Sequence, residues 1–129
     1  MYRTVEFKST FTNDWHFDAN GNALAPGARK LAETIVARLQ PRLDATTDIE
    51  QHSYYGWAFR ATYSGHFFYN VLNPASDLCF LTVQCPWQWF RTLLLRRPPN
   101  RLERYCNVVS DALSEIPEVS GVSWQEYRR

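Results

Sequence analysis

The chain has 129 residues, 45% hydrophobic and 21% charged, with Phe, Trp and Tyr making up 16%. That is enough apolar surface to offset the entropy of ordering one core, and too short a chain for a second, so one domain spanning 1–129 is expected and disorder is excluded for most of it. A formal net charge of +1 excludes a global field suited to nucleic acid or an anionic membrane while leaving a local patch open.

In chain order, residues 3–11 alternate, with Val5, Phe7 and Phe11 on one side and Thr4, Glu6, Lys8 and Thr10 on the other, the pattern of a half-buried strand. Residues 13–26 are rich in Asn, Asp, Gly and Pro, and Asn20-Gly21 favours a tight turn, so a loop is expected there. From Ala28 onward, Leu31, Ile35 and Leu39 recur every four residues beside Ala32 and Val36, one apolar helical stripe that Pro41 stops. Residues 54–72 read as a β-hairpin around Ser64-Gly65. If Tyr63 pairs with His66, then Trp57, Phe59, Ala61, Tyr63, His66, Phe68, Asn70 and Leu72 share one face. Ala58, Arg60, Thr62, Phe67, Tyr69 and Val71 occupy the other. A turn over 73–77 leads into a third strand over 79–85, with Leu81 and Val83 inward and Phe80, Thr82 and Gln84 outward. The segment 86–99 is less regular: Trp87, Trp89 and Phe90 are followed by Arg91, and Pro98-Pro99 blocks a helix across the join. Asn100 is placed to cap a helix with the stripe Leu102, Tyr105, Cys106, Val109, Ala112, Leu113 and Ile116, ended by Pro117. Residues 121–127 form a last short strand.

The order β-α-β-β-β-α-β, with one apolar stripe per helix, predicts an α+β fold. The expected form is a two-layer sandwich, a mostly antiparallel sheet of about five strands carrying two helices on one face. The other sheet face then meets solvent, the chain's own segment 86–95, or a partner. A partner includes a second copy of the chain in a homodimer.

Residues 1–8 are charged and alternating, without the apolar run of a secretory signal, and no stretch approaches the roughly 18 apolar residues of a membrane span. Cys79, Cys85 and Cys106 are odd in number and contain no CxxC pair, which fits reduced, buried thiols. A cytoplasmic protein is expected.

Chemical signatures are sparse. No GxGxxG, GxxxxGKS/T, GxSxG or HExxH occurs, so nucleotide cradles and the commonest hydrolase and metalloprotease arrangements lack their residues. Asp14, His16 and Asp18 are spaced by two and would share a face if extended, but Trp15 and Phe17 more simply anchor a solvated loop. His52 lies beside Ser53, and His66 flanks the hairpin turn; each reads as an ordinary polar residue. No catalytic residue, metal ligand or cofactor is assigned. Arg91, Arg96 and Arg97, followed by Arg101 and Arg104, form a candidate anion site with only Glu103 as counter-charge. A nucleic-acid interface over 91–104 is disfavoured by the neutral whole chain. Phe67, Tyr69 and Phe80, with Arg60 and Gln84, form the candidate partner surface, because aromatic and arginine side chains are enriched at interfaces.

Tyr55-Gly56-Trp57-Ala58-Phe59, followed by Gly65-His66-Phe67-Phe68 and the closing Val119-Ser120-Gly121-Val122-Ser123-Trp124, resembles small bacterial α+β proteins. Some of these serve as immunity proteins that neutralise a cognate toxin. The resemblance implies a protein partner and no catalytic residue. The leading expectation is a non-enzymatic protein-binding module that acts by occlusion. The alternative is a small-ligand protein or enzyme with a pocket between segment 87–95 and the sheet, Arg91 or Arg97 holding an anion and His52 or His66 carrying protons.

Overall fold

The structure is a computed structural model and describes residues 2–11, 16–25, 27–52, 56–75, 78–85 and 100–128. Its frame is β1 (Tyr2–Ser9), β2 (His16–Phe17), β3 (Ala23–Ala25), α1 (Arg29–Leu39), β4 (Ala45–Thr46), β5 (Glu50–His52), β6 (Gly56–Tyr63), β7 (His66–Ala75), β8 (Leu78–Gln84), α2 (Asn100–Ser114) and β9 (Val119–Trp124). Seven strands form one sheet in the order β4-β6-β7-β8-β1-β9, with β5 sharing the β6 edge beside β4. Every pairing is antiparallel. The expected α+β architecture is present.

The hairpin register follows from its turn. Ser64 and Gly65 adopt φ of 51° and 77°, the left-handed pair that matches the twist of the flanking strands. Tyr63 therefore pairs with His66 and every pair back to Trp57 with Leu72 is fixed. The alternation then places Trp57, Phe59, Ala61, Phe68 and Leu72 against the helices, all at most 6% exposed. β8 and β1 continue that face with Leu81 beside Val5 and Cys79 beside Phe7. Leu31, Ala32, Ile35, Val36 and Leu39 of α1 and Leu102, Tyr105, Cys106, Val109, Ala112 and Leu113 of α2 close the core from above.

One buried polar knot ties the layers together. Asn70 is fully buried on the helix side, where it accepts a hydrogen bond of 2.8 Å from the Tyr105 hydroxyl of α2. Its amide nitrogen donates to the carbonyls of Phe59 and Phe68 at 3.3 Å. The Tyr105 ring stacks on Phe68 with centroids 4.2 Å apart and planes 7° from parallel. Each polar atom of the knot thus finds a partner, as burial demands.

Several boundaries differ from the expectation. The stretch read as a loop over 13–26 contains the small hairpin of β2 and β3. β7 runs through Pro74 to Ala75 where a turn was expected, paired there with Cys79 and Leu78 of β8. Asn100, expected as the cap of α2, lies within the helix, and Ile116 stays 1% exposed beyond the helix end. β4 and β5, two short strands, add to the predicted sheet.

The two sheet edges are blunted. Between Glu6 and Lys8 the register with β9 shifts, so that Gly121 and Val122 stand opposite Phe7 alone, a bulge that twists the edge. The opposite edge is broken into β4 and β5. Both edges are thereby poor templates for the addition of a further strand.

Candidate functional site

The register lays out the outer face in rows. Arg60 of β6, Tyr69 of β7, Gln84 of β8 and Tyr2 of β1 are successive cross-strand neighbours. Phe67 lies one step toward the hairpin turn, opposite Thr62, and is 58% exposed. These residues form one contiguous surface of aromatic, guanidinium and amide groups. Phe80 shares the face but pairs with Asn73 and Glu6. It stands four residues from Gln84 along β8, about 13 Å at the rise of a strand, so it borders the patch and does not join the Phe67 and Tyr69 cluster.

β5 brings residues that the pattern of the chain kept apart. Glu50 pairs with Ala58 and His52 with Gly56, so both side chains emerge on the outer face beside small residues of β6. Gly56 has no space to be larger, since an added Cβ would lie 2.5 Å from Asn73 Oδ1 and 2.8 Å from the Leu72 carbonyl. The low floor lets the His52 ring approach the edge of Tyr69, with centroids 6.3 Å apart and planes at 62°. Thr47, in the connection before β5, accepts the Arg60 backbone N–H at 2.9 Å. Thr47, Glu50, Ala58, Arg60 and Tyr69 line a small cleft. Ala58 is only 4% exposed although it faces outward.

The cleft holds about 40 Å³. A small-molecule site usually offers roughly 300–1,000 Å³, so by volume this depression matches a side-chain tip or a water or two. Glu50 and Arg60 line it together, yet no ion pair joins them among the described residues. The surface offers the Glu50 carboxylate, the Arg60 guanidinium, the Gln84 amide and the rings of Phe67 and Tyr69 to an incoming group.

The remaining candidates are placed differently. Arg91, Arg96 and Arg97, and the pocket expected against segment 87–95, lie outside the described residues. Arg101 and His66 meet on the helix side of the sheet at 2.7 Å. A guanidinium only donates, so His66 Nδ1 accepts and the ring proton sits on Nε2. His66 thereby anchors the start of α2 to the hairpin. Asp14 and the His16 side chain lie outside the described residues, while Asp18 accepts the backbone N–H groups of Asn20 and Asn22, each at 2.9 Å. The Asn22 bond, foremost, holds the Asp18 carboxyl below its ordinary value of 3.8. Among the described residues no group of three His, Cys, Asp or Glu side chains is arranged to hold a metal ion.

The three cysteines are free and buried. Burial pushes the Cys79 thiol up to about 11 and Cys106 up to about 12, and raises Cys85 as well, the opposite of what a nucleophile needs. Neither of the described helices is long and apolar enough to cross a membrane.

The sequence pattern missed Glu50 and Thr47, and it named His52 only as an ordinary polar residue or a proton carrier of the alternative reading, without placing it beside Tyr69. Their signal was faint: β4 and β5 span two and three residues, too few for alternation to register. No protein-family model, curated protein or solved structure matches the chain.

Proposed function

We propose that the chain is a non-enzymatic binding protein of the immunity type, which neutralises a partner protein, a bacterial toxin, by covering it with the outer face of the sheet. The observation that carries this reading is the row Arg60, Tyr69 and Gln84 with the 58% exposed Phe67 beside it, on the face opposite the helices. Monomeric proteins rarely leave aromatic side chains grouped on a surface without use, and tyrosine and arginine dominate the energetics of interfaces. Tyr69 and Phe67 insert into the partner. Arg60 meets a partner carboxylate in a bidentate pair, and the small cleft over Ala58 receives one partner side-chain tip.

The enzymatic reading draws on the convergence of Glu50, His52, Arg60 and Tyr69, a set able to shuttle protons and hold an anion. The cleft volume favours occlusion. Retention of a partner from the native host by wild type tests the choice. Arg60→Glu and Tyr69→Ala should each weaken it by about 30-fold or more, the cost of losing a residue worth roughly 2 kcal/mol. Equal retention by folded variants would remove the outer face from the interaction.

A further inference from the structure

The hairpin and α2 are joined near the turn by a contact between two nitrogenous side chains. Arg101 of α2 reaches His66, the first residue of β7, at 2.7 Å in a partly buried position. A guanidinium carries donors only, so the bond exists only while His66 Nδ1 keeps its lone pair. Protonation of the ring turns both of its nitrogens into donors and sets a second positive charge against the first. The contact therefore attracts in one protonation state of His66 and repels in the other.

Every neighbouring element brings titratable or charged groups to this end of the molecule. β6 contributes Tyr63, the register partner of His66, and α2 contributes Tyr105, whose ring is 6.4 Å from that of Tyr63, besides Arg101, Glu103 and Arg104. Past the end of β8, burial raises the Cys85 thiol and the charge of Arg101 opposes it. Ahead of β4, the Asp44 carboxylate accepts the Gly65 N–H of the turn at 3.0 Å. A carboxylate attracts a charged ring, but Asp44 is held by the backbone, and among the described residues Arg101 alone bonds the imidazole. We propose that His66 and Arg101 form an acid-released latch, which ties α2 to the hairpin turn while the ring is neutral and lets go when it is protonated. The following residue, Phe67, is the 58% exposed aromatic of the outer face, so the latch holds the strand end that presents it. The device does not depend on what the outer face binds.

Long-range nitrogen–proton spectra of the full chain read the state of the ring directly. At mildly alkaline pH they should show Nδ1 unprotonated and Nε2 protonated, and on the acid side both nitrogens protonated. Amide exchange, normalised at each pH to the rate of an unstructured chain, should lose protection by about fivefold over residues 63–68 and 101–104 as the ring protonates, the scale of one hydrogen bond. Protection where β1 pairs with β8 should not change. His66→Gln, whose side-chain carbonyl accepts at every pH, should keep the protection of 63–68 level. Arg101→Met should already show the lowered protection at mildly alkaline pH and fall no further in acid. A protonated Nδ1 at mildly alkaline pH, a ring that stays neutral until the whole fold is lost, protection that ignores the state of the ring, or an equal acid loss in either variant would overturn the proposal.

Discussion

Replacing Tyr105 by phenylalanine removes one oxygen from the centre of the molecule and leaves the packing intact. The ring, fully buried and stacked on Phe68 at 4.2 Å, keeps its contacts. The Asn70 Oδ1 that accepted the hydroxyl at 2.8 Å is left buried without that donor. Loss of the bond and desolvation of an orphaned acceptor together cost about 1–3 kcal/mol. Asn70→Ala should cost more, because it orphans the Tyr105 hydroxyl, removes the donor to Phe59 and Phe68, and opens a void. In the double variant Tyr105→Phe with Asn70→Leu, both polar partners are gone, so the loss should be clearly smaller than the sum of the single losses. Urea unfolding followed by circular dichroism measures this. With a slope of roughly 1–3 kcal/mol per molar urea, the single variant Tyr105→Phe should move the midpoint down by about 1 M at unchanged slope. A midpoint within the error of wild type, or strictly additive losses, would refute the claim that this knot ties α2 to the hairpin.

Gly56→Ala should destabilise by about 1–3 kcal/mol, since the new methyl meets the Leu72 backbone at 2.8 Å as well as the Asn73 side chain; Gly65→Ala, at a φ of 77° but in open space, should cost about 1 kcal/mol, and thermal melts order the two. None of the three cysteines should react with an aromatic disulfide reagent in the folded protein at mildly alkaline pH, because the buried thiols of Cys79 and Cys106 are pushed up to about 11 and about 12, and all three should react in denaturant. The Arg42 guanidinium bonded to Glu115 holds that carboxyl below its ordinary value of 4.5. A lowered folded value means the pair stabilises the fold above 4.5 and loses this as pH falls through the folded value. The stability difference between wild type and Glu115→Gln should accordingly be level at neutral pH and shrink on the acid side. Arg3 lies over Trp124 at 5.0 Å and Tyr127 at 4.6 Å and donates to the Gln125 carbonyl at 2.9 Å; Arg3→Ala should speed amide exchange along residues 124–128 without changing it in the hairpin.

Local periodicity carried most of the fold because its elements are long and one-sided. The hairpin register was readable to the residue, since Ser64-Gly65 is short enough to leave one pairing and the alternation of Trp57, Phe59 and Ala61 has one burial solution. The stripes of α1 and α2 were legible for the same reason. The position of β1 between β8 and β9 was not readable, because long-range pairing leaves no local trace. The candidate face was half legible: Arg60, Phe67, Tyr69 and Gln84 follow from alternation along β6 to β8, but a pattern that assigns residues to a face cannot place them along it. Phe80 was therefore grouped with residues about 13 Å away along the strand direction. The cleft was hidden, because it depends on β5 and on the absence of side-chain bulk at Gly56 and Ala58.

The central claim is that recognition takes place on the outer face beside the hairpin turn. A photo-crosslinking amino acid at Phe67, compared in the native host with the same group at the exposed Asn107 on α2, tests it most directly. One discrete protein adduct from position 67, lost when Arg60→Glu is added and absent from position 107, is the predicted result. A discrete adduct from position 107 with none from position 67 would contradict it.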